Sequence, residues 1–349
     1  MIDEMDPMDR TMAALSHKEP DRVPVFMLLT MHGAKLLDMP LIKYLNSSEH
    51  MVKAQLKMRD MFGHDCLYAL SYAAAEVKAF GGEVMFFEDG PPNAGRPIIQ
   101  VPEDIEGLEP PDIESSVRLQ ETLKTIRGLK EGSNGKVPVI GVVMSPFSLP
   151  VMQMGFPAYL DLLYHDPEHF RQLMDINQRF CVEWANCQFE AGATAVAYFD
   201  PVSSTTMITR EMYLDTGLPI AKGTISKLKG PTATHFASGR CLNILDDVMG
   251  TGTAAVGVSS LEDLSLLKSK SAGKVSLIGN LNGIEMARWD HQRAEMKVRE
   301  AISKAAKGGG FVLSDNHGEI PYQVYWDVIR WTMDAARKHG KYPLNTTDR

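Results

Sequence analysis

Short apolar runs alternate with longer amphipathic stretches along most of this chain. A run of a few apolar residues bounded by turn residues predicts a buried strand, and recurrence every three to four residues predicts a helix packed on it. The expected strands are Arg22–Leu28, His64–Tyr72, Lys136–Met144, Ala195–Val202, Thr232–Ala237, Ala254–Val258, Lys274–Leu281 and Gly310–Ser314. The expected helices include Ser48–Phe62, Ser115–Leu129, a long one opening at Asp166-Pro167 and stopping before Gly192, Gln292–Lys307 and Tyr322–Lys338. Asp as N-cap followed by Pro in the first turn is a helix start that needs no neighbour to explain it. Glu83–Phe87 and Pro97–Val101, with Gly and Pro between them, predict a β-excursion.

About eight strand–helix repeats with one hairpin predict a parallel sheet closed on itself. The expectation is an α/β fold, a single (β/α)8 TIM-type barrel over residues 1–349 with a short β-hairpin insertion. The first strand is followed by no GxGxxG, and no P-loop occurs, which lowers the weight of the common nucleotide folds. The chain's 349 residues are 44% hydrophobic and 23% charged, enough for a large core without a disulfide or metal staple.

Charge narrows the function. The formal net charge is -8 and no basic stripe stands out, so nucleic acid is a poor partner. No apolar run reaches the roughly 18 residues of a membrane span. The opening MIDEMDPMDR lacks the basic and apolar regions of a signal peptide. Cys66, Cys181, Cys187 and Cys241 form no CxxC pair, which fits core thiols in a reducing, cytoplasmic setting. The 21 methionines read as core filler or as a soft lining for a ligand or partner.

In such barrels, chemistry gathers at the C-terminal ends of the strands. The polar residues expected there are Tyr72 and Glu76, Asp200, His235, Asn280 and Asn282, and the run Asp315-Asn316-His317. His235 and His317 end separate strands and could converge. Imidazole is a common zinc ligand, and Asp200 or Glu76 could complete a site with one open position. The bland readings stand beside these: loop histidines bonded to backbone, Asp200-Pro201 as a strand-ending turn, Glu76 as a helix cap, and Asp315 and Asn316 as turn residues that aim His317. Asn280, Asn282 and Asp315 are candidates to contact a cofactor. Tyr72, Phe147, Met207 and Tyr322 are candidates to line an aromatic pocket, with core packing as the alternative.

KEPDRVPV (Lys18–Val25), FGHD (Phe62–Asp65), FFEDGPP (Phe86–Pro92), YFDP (Tyr198–Pro201), IGNLN (Ile278–Asn282) and SDNHGEIP (Ser314–Pro321) together, in this order, resemble the uroporphyrinogen decarboxylase superfamily. The decarboxylases hold a carboxylate-rich tetrapyrrole with arginines, but the matching LLTMHGAKL (Leu28–Leu36) has none, and no carboxylate stands at Tyr72, where their catalytic Asp should fall. His317 matches a decarboxylase position. FFEDGPP and AEVKAFG (Ala75–Gly81) are more similar to the cobamide-dependent methyltransferase branch. The thiol-methylating members of that branch carry zinc on a His-x-Cys pair and a later Cys; here His235 matches the His, while Ala237 and His317 replace the cysteines.

That substitution implies a harder site suited to an oxygen-bearing substrate. The resemblance therefore implies O-demethylation: transfer of a methyl group from a methoxylated, aromatic substrate to the Co(I) of a separate corrinoid protein. No DxHxxG signature is evident, so the cobamide is expected on that partner. His235, His317 and Asp200 would be catalytic or, with Glu76, hold zinc. Alternatives are a methylcorrinoid:thiol methyltransferase, a uroporphyrinogen decarboxylase, and a non-catalytic binder of a tetrapyrrole or of the corrinoid protein. The methyl donor, zinc occupancy and oligomeric state, a homodimer included, stay open.

Overall fold

The computed structural model describes residues 4–70 and 72–344. Strands β1 (Val25–Phe26), β2 (Leu67–Tyr68), β5 (Val139–Met144), β6 (Ala195–Phe199), β7 (Thr232–His235), β8 (Ala255–Gly257), β9 (Ser276–Leu281) and β10 (Phe311–Asp315) form one eight-stranded sheet in the order β1-β10-β9-β8-β7-β6-β5-β2. Every pairing in it is parallel. Each strand falls inside, or within a residue of, its expected run. The (β/α)8 architecture follows, with β3 (Val84–Met85) and β4 (Asn93–Ala94) as an antiparallel hairpin outside the barrel.

The hairpin's second arm differs from expectation. Pro97–Val101 forms no ladder; instead Ile98 N and Ile99 N both donate to the Gln153 carbonyl, at 2.9 and 3.1 Å. Pro97 has no N–H to offer a ladder, and the turn at Gly90-Pro91-Pro92 has already reversed the chain.

The ladder ends at the short strands β1 and β2, and side chains complete it. Asp65 N donates to Val25 O at 2.8 Å, and the Asp65 carboxylate accepts from Val25 N at 2.8 Å. Gln55, buried on the helix Ser48–Phe62, donates to Leu29 O and accepts from Tyr68 N at 3.3 Å. Asp65 is itself held by Arg10 Nη1 at 2.7 Å and Arg22 Nη1 at 2.7 Å. Beyond the end of β2, the exposed edge of β5 is covered the same way. Gln188, on the helix Pro167–Ala191, donates to Val142 O at 2.8 Å and accepts from Val142 N at 2.9 Å. Glu76 accepts from Met144 N at 3.0 Å, and Cys181 Sγ donates to Met144 O at 3.0 Å. Buried backbone groups without a strand partner thus find one.

The helices ring the barrel and bury the outward face of each strand. The Asp166 cap is as read, accepting from His169 N before Pro167–Ala191, and Ser47 caps Ser48–Phe62 by accepting from His50 N. No helix among the described residues is long and apolar enough to cross a membrane. All four cysteines are free.

The inward face is less filled than the outward one. On β6 the outward Val196 and Tyr198 are fully buried, whereas the inward Ala195, Ala197 and Phe199 are only partly buried. Barrels of this type usually fill their axis with layers of branched side chains. Here Ala195, Ala197, Ala233 and Ala255 stand at inward positions and leave a cavity of about 270 Å³.

Candidate active site

β7 ends in His235, and its ring is fixed on every side. Phe199, at the end of β6, stacks on it with ring centroids 5.3 Å apart and planes 16° from parallel. Gly257 and Gly318 close against its edges: a Cβ at Gly257 would lie 2.4 Å from His235 Cδ2, and one at Gly318 would lie 3.4 Å from Cε1. The Ala237 N–H donates to His235 Nδ1 at 3.0 Å. Ala237 has φ +51°, the left-handed turn that folds this N–H back onto the ring. Nδ1 is therefore an acceptor, and the neutral ring carries its proton on Nε2. Nε2 is buried and has no partner among the described residues. Burial, and next the neighbouring His317, push the His235 pKa down to about 4, so the ring is neutral at pH 7.

His317 follows β10 and is held in a parallel manner. Asp315 Oδ2 accepts from His317 N at 2.8 Å and from Gly318 N at 2.9 Å, which makes the tight turn that aims the ring. The Asn316 amide, oriented so that both its ends are satisfied, donates to Leu281 O at 2.9 Å and to His317 Nδ1 at 2.7 Å. It accepts from Ser260 N and Oγ in the same orientation. His317 thus also carries its proton on Nε2, and burial lowers its pKa. Burial raises Asp315 to about 6 and Glu319 to about 8, against several backbone N–H groups that favour the charged forms.

His235 and His317 are the expected pair that the fold brings together. The two carboxylates expected beside them are engaged elsewhere. Asp200 Oδ1 accepts from Ser145 Oγ at 2.5 Å and Ser148 Oγ at 2.8 Å, and so organises the loop after β5. Glu76 stands in for a missing strand at Met144 N, and burial pushes its pKa up to about 8. Among the described residues, no three His, Cys, Asp or Glu side chains are grouped to hold a metal ion. The donor chemistry points the same way. A zinc-ligating imidazole binds through a bare nitrogen while its other N–H donates to an acceptor. In both histidines the second nitrogen instead receives an N–H, so Nε2 is a donor. The zinc set His235, His317, Asp200 and Glu76 does not fit the residues as they stand.

The remaining expected residues separate. Asn282 caps the helix Gly283–Met286 by accepting from Glu285 N at 3.2 Å, a structural task rather than a cofactor contact. Asn280 donates to Ser259 O at 3.1 Å and edges a polar recess outside the barrel. Phe147 is not a pocket residue: it is fully buried, edge-on to Tyr159 and Phe170. Tyr72 turns away from the mouth into a lateral cleft of about 590 Å³, against Phe86 and 5.8 Å from the Arg118 guanidinium. That cleft is larger than the axial cavity, yet no histidine or cysteine lines it. Met207 is 41% exposed on the loop after β6, and Tyr322 lies under Lys35 and beside His32. Cys241 is buried, as expected of a core thiol.

Several determinants escaped the sequence reading: the Ala237 N–H, the amide of Asn316 acting on His317, the two ring-confining glycines, and the hollow axis. The signals were present as Gly318 directly after His317, as Gly257 at the end of its apolar run, and as Ala at alternate positions in AVAYF.

The model of the family "Uroporphyrinogen decarboxylase (URO-D)" matches residues 6–339. The uroporphyrinogen decarboxylase of Mannheimia succiniciproducens is 29% identical over 262 residues, covering 72% of each chain, and that of Paraburkholderia phytofirmans 25% over 311 residues, covering 84% of this chain and 83% of its own. Among solved structures, a methyltransferase from Methanosarcina mazei superposes with a TM-score of 0.85 at 20% identity, covering 96% of this chain and 99% of its own. A B12-independent methionine synthase from Shewanella sp. W3-18-1 gives 0.52 at 12% identity, covering 82% and 84%. These two structures share the fold. The family model spans nearly the whole chain, both histidines included, and the chain belongs to the uroporphyrinogen decarboxylase (URO-D) family.

Proposed function

We propose that this protein is the substrate-side methyltransferase of an O-demethylation system, moving a methyl group from a methoxyarene to a separate corrinoid protein. The observation that carries the reading is the pair of neutral imidazoles, His235 and His317, each fixed with its proton on Nε2. Breaking a methyl–oxygen bond leaves both electrons on oxygen, as phenolate. Donors fixed where that charge develops stabilise it without reorganising. A neutral imidazole serves as such a donor, and at pH 7 it is not an imidazolium acid. When docked at the mouth, the partner's Co(I) corrinoid supplies the nucleophile. Within this chain, Ala237 and Asn316 hold the tautomers, Asp315 sets the turn, and Phe199 with Gly257 and Gly318 fixes the His235 ring.

The relatives' name makes tetrapyrrole decarboxylation the second reading. A polycarboxylate needs cations, and among the described residues the axial cavity is lined by neither Lys nor Arg. Arg10 and Arg22 bind Asp65 at the opposite end of the barrel. The test incubates the protein with a Co(I) corrinoid protein and a panel of methoxyarenes, following corrinoid methylation by absorbance and phenol release by chromatography. Both signals together are expected. Their absence across the panel, with CO2 release from uroporphyrinogen, would establish the second reading instead.

A further inference from the structure

We infer that the hollow axis of the barrel is a second ligand site, entered from the strands' N-terminal ends, and that it takes an unbranched alkyl chain of about ten carbons. The site does not rest on the methyl transfer proposed above. Active sites of such barrels gather at the C-terminal ends of the strands, and the opening here is at the other end. The first helix, Pro7–Leu15, lies across that end. Met8 N donates to Lys136 O at 2.9 Å, ahead of β5, and Gly310 N, ahead of β10, donates to Ala14 O at 2.7 Å. A helix tied at these two points leaves the starts of β7 and β8 uncovered, and Pro231 and Ala254 are exposed there. Both line the cavity, together with Ser16 and with Met12, which is 51% exposed. At the far end the lining is Phe199, His235 and Gly318, of which the last two are buried. The wall thus meets solvent at the N-terminal end.

Length and volume set the ligand's shape. The wall follows β6 from Thr194 to Phe199, at about 3.3 Å per residue on a strand tilted by about 36°, or about 13 Å along the axis. A dry apolar cavity of about 150 Å³ holds one benzene, a compact ring. The 270 Å³ here is less than twice that, drawn out along the whole strand. Such a slot suits an extended chain and not a globular or fused ring system. With ordinary bond lengths and angles a chain advances about 1.3 Å per carbon, so the axis takes about ten. Polarity sets the second limit. The wall is built from the alanines of β6, β7 and β8 with Ile140, Ile278 and Val312, and among the described residues no Lys, Arg, Asp or Glu lines it. A charged head finds no partner inside and stays in water at the rim beside Met12.

The test is calorimetric titration with hexanoate, octanoate, decanoate and tetradecanoate, each below its micellar concentration. Saturable binding is expected, tightening about fourfold for each added methylene, the worth of burying one. The gain should stop beyond decanoate, where further carbons lie outside the axis. Ala197→Leu and, separately, Ala233→Leu fill the axis and should abolish binding, with thermal melting showing that each variant folds. Met12→Trp narrows the exposed rim without touching the core and should weaken decanoate binding. 1-Adamantanecarboxylate, globular with a similar carbon count, should not compete. No saturable binding of decanoate would overturn the inference. So would unchanged binding in all three variants, affinity that keeps rising to tetradecanoate, or equal binding of the adamantane.

Discussion

The Ala237 N–H donates to His235 Nδ1 at 3.0 Å, and this contact decides what His235 can be. It places the proton on Nε2, which makes that nitrogen a donor rather than the bare nitrogen a metal would bind. A backbone group two residues away thus sets the chemistry of the ring.

His235→Phe keeps a flat ring against Phe199 and removes the donor. If Nε2–H faces the developing phenolate, methyl transfer should fall by about 10²–10³-fold, the usual loss of one preorganised donor. Steady-state kinetics with a methoxyarene and Co(I) corrinoid protein measures it. A loss below tenfold would remove His235 from the reaction.

Gly257→Ala would put a Cβ 2.4 Å from His235 Cδ2. Overpacking of this kind costs about 1–3 kcal/mol. The ring must move to relieve it, so the rate of methyl transfer should drop by more than the melting temperature suggests. A variant with lowered stability but full activity would show that ring placement is unimportant.

The tautomers also predict a result for metal. Protein dialysed against a chelator should keep its melting temperature, and fresh protein should hold zinc well below one per chain by mass spectrometry. Stoichiometric zinc lost in His235→Ala and His317→Ala would reverse this reading of the two rings.

His64 is fully buried, neither ring nitrogen has a partner among the described residues, and burial pushes its pKa to about 3. Its ordinary value is about 6.5. The folded pKa is the lower one, so between those values the unfolded chain binds the extra proton, and stability falls as pH drops. Glu76 and Glu319, raised to about 8, act in the opposite sense between about pH 4.5 and 8. Comparison with His64→Leu isolates the histidine. The variant should gain stability relative to wild type as pH falls from 7 to 4, by on the order of 3 kcal/mol. Urea titrations at several pH values test this, and parallel curves would refute it.

Asp65→Ala should be among the most damaging single changes. It leaves Arg10 and Arg22 without this carboxylate in the interior and strips Val25 N of its partner. Removing one member of a buried ion pair costs about 3–5 kcal/mol. Urea denaturation reads it directly, and a loss under 1 kcal/mol would mean that β1 and β2 do not depend on Asp65.

The alternation of apolar runs and amphipathic stretches determined the barrel by itself. A strand buried on both faces must be apolar throughout, and a covering helix must be apolar on one side, so element type and order are local facts written in local patterns. The same logic placed His235 and His317 at strand ends. Whether Asp200 and Glu76 would join them was not a local fact. It depended on which polar groups the closed barrel left unpartnered, and those claims came first: Asp200 went to Ser145 and Ser148, and Glu76 to the uncovered edge of β5. The tautomers of the histidines were likewise decided by an N–H turned back through a left-handed residue and by the Asn316 amide, anchored on the Leu281 carbonyl. The sequence determined which side chains reach the mouth; only the tertiary structure, by satisfying each buried polar group in turn, decided what those side chains are left free to do.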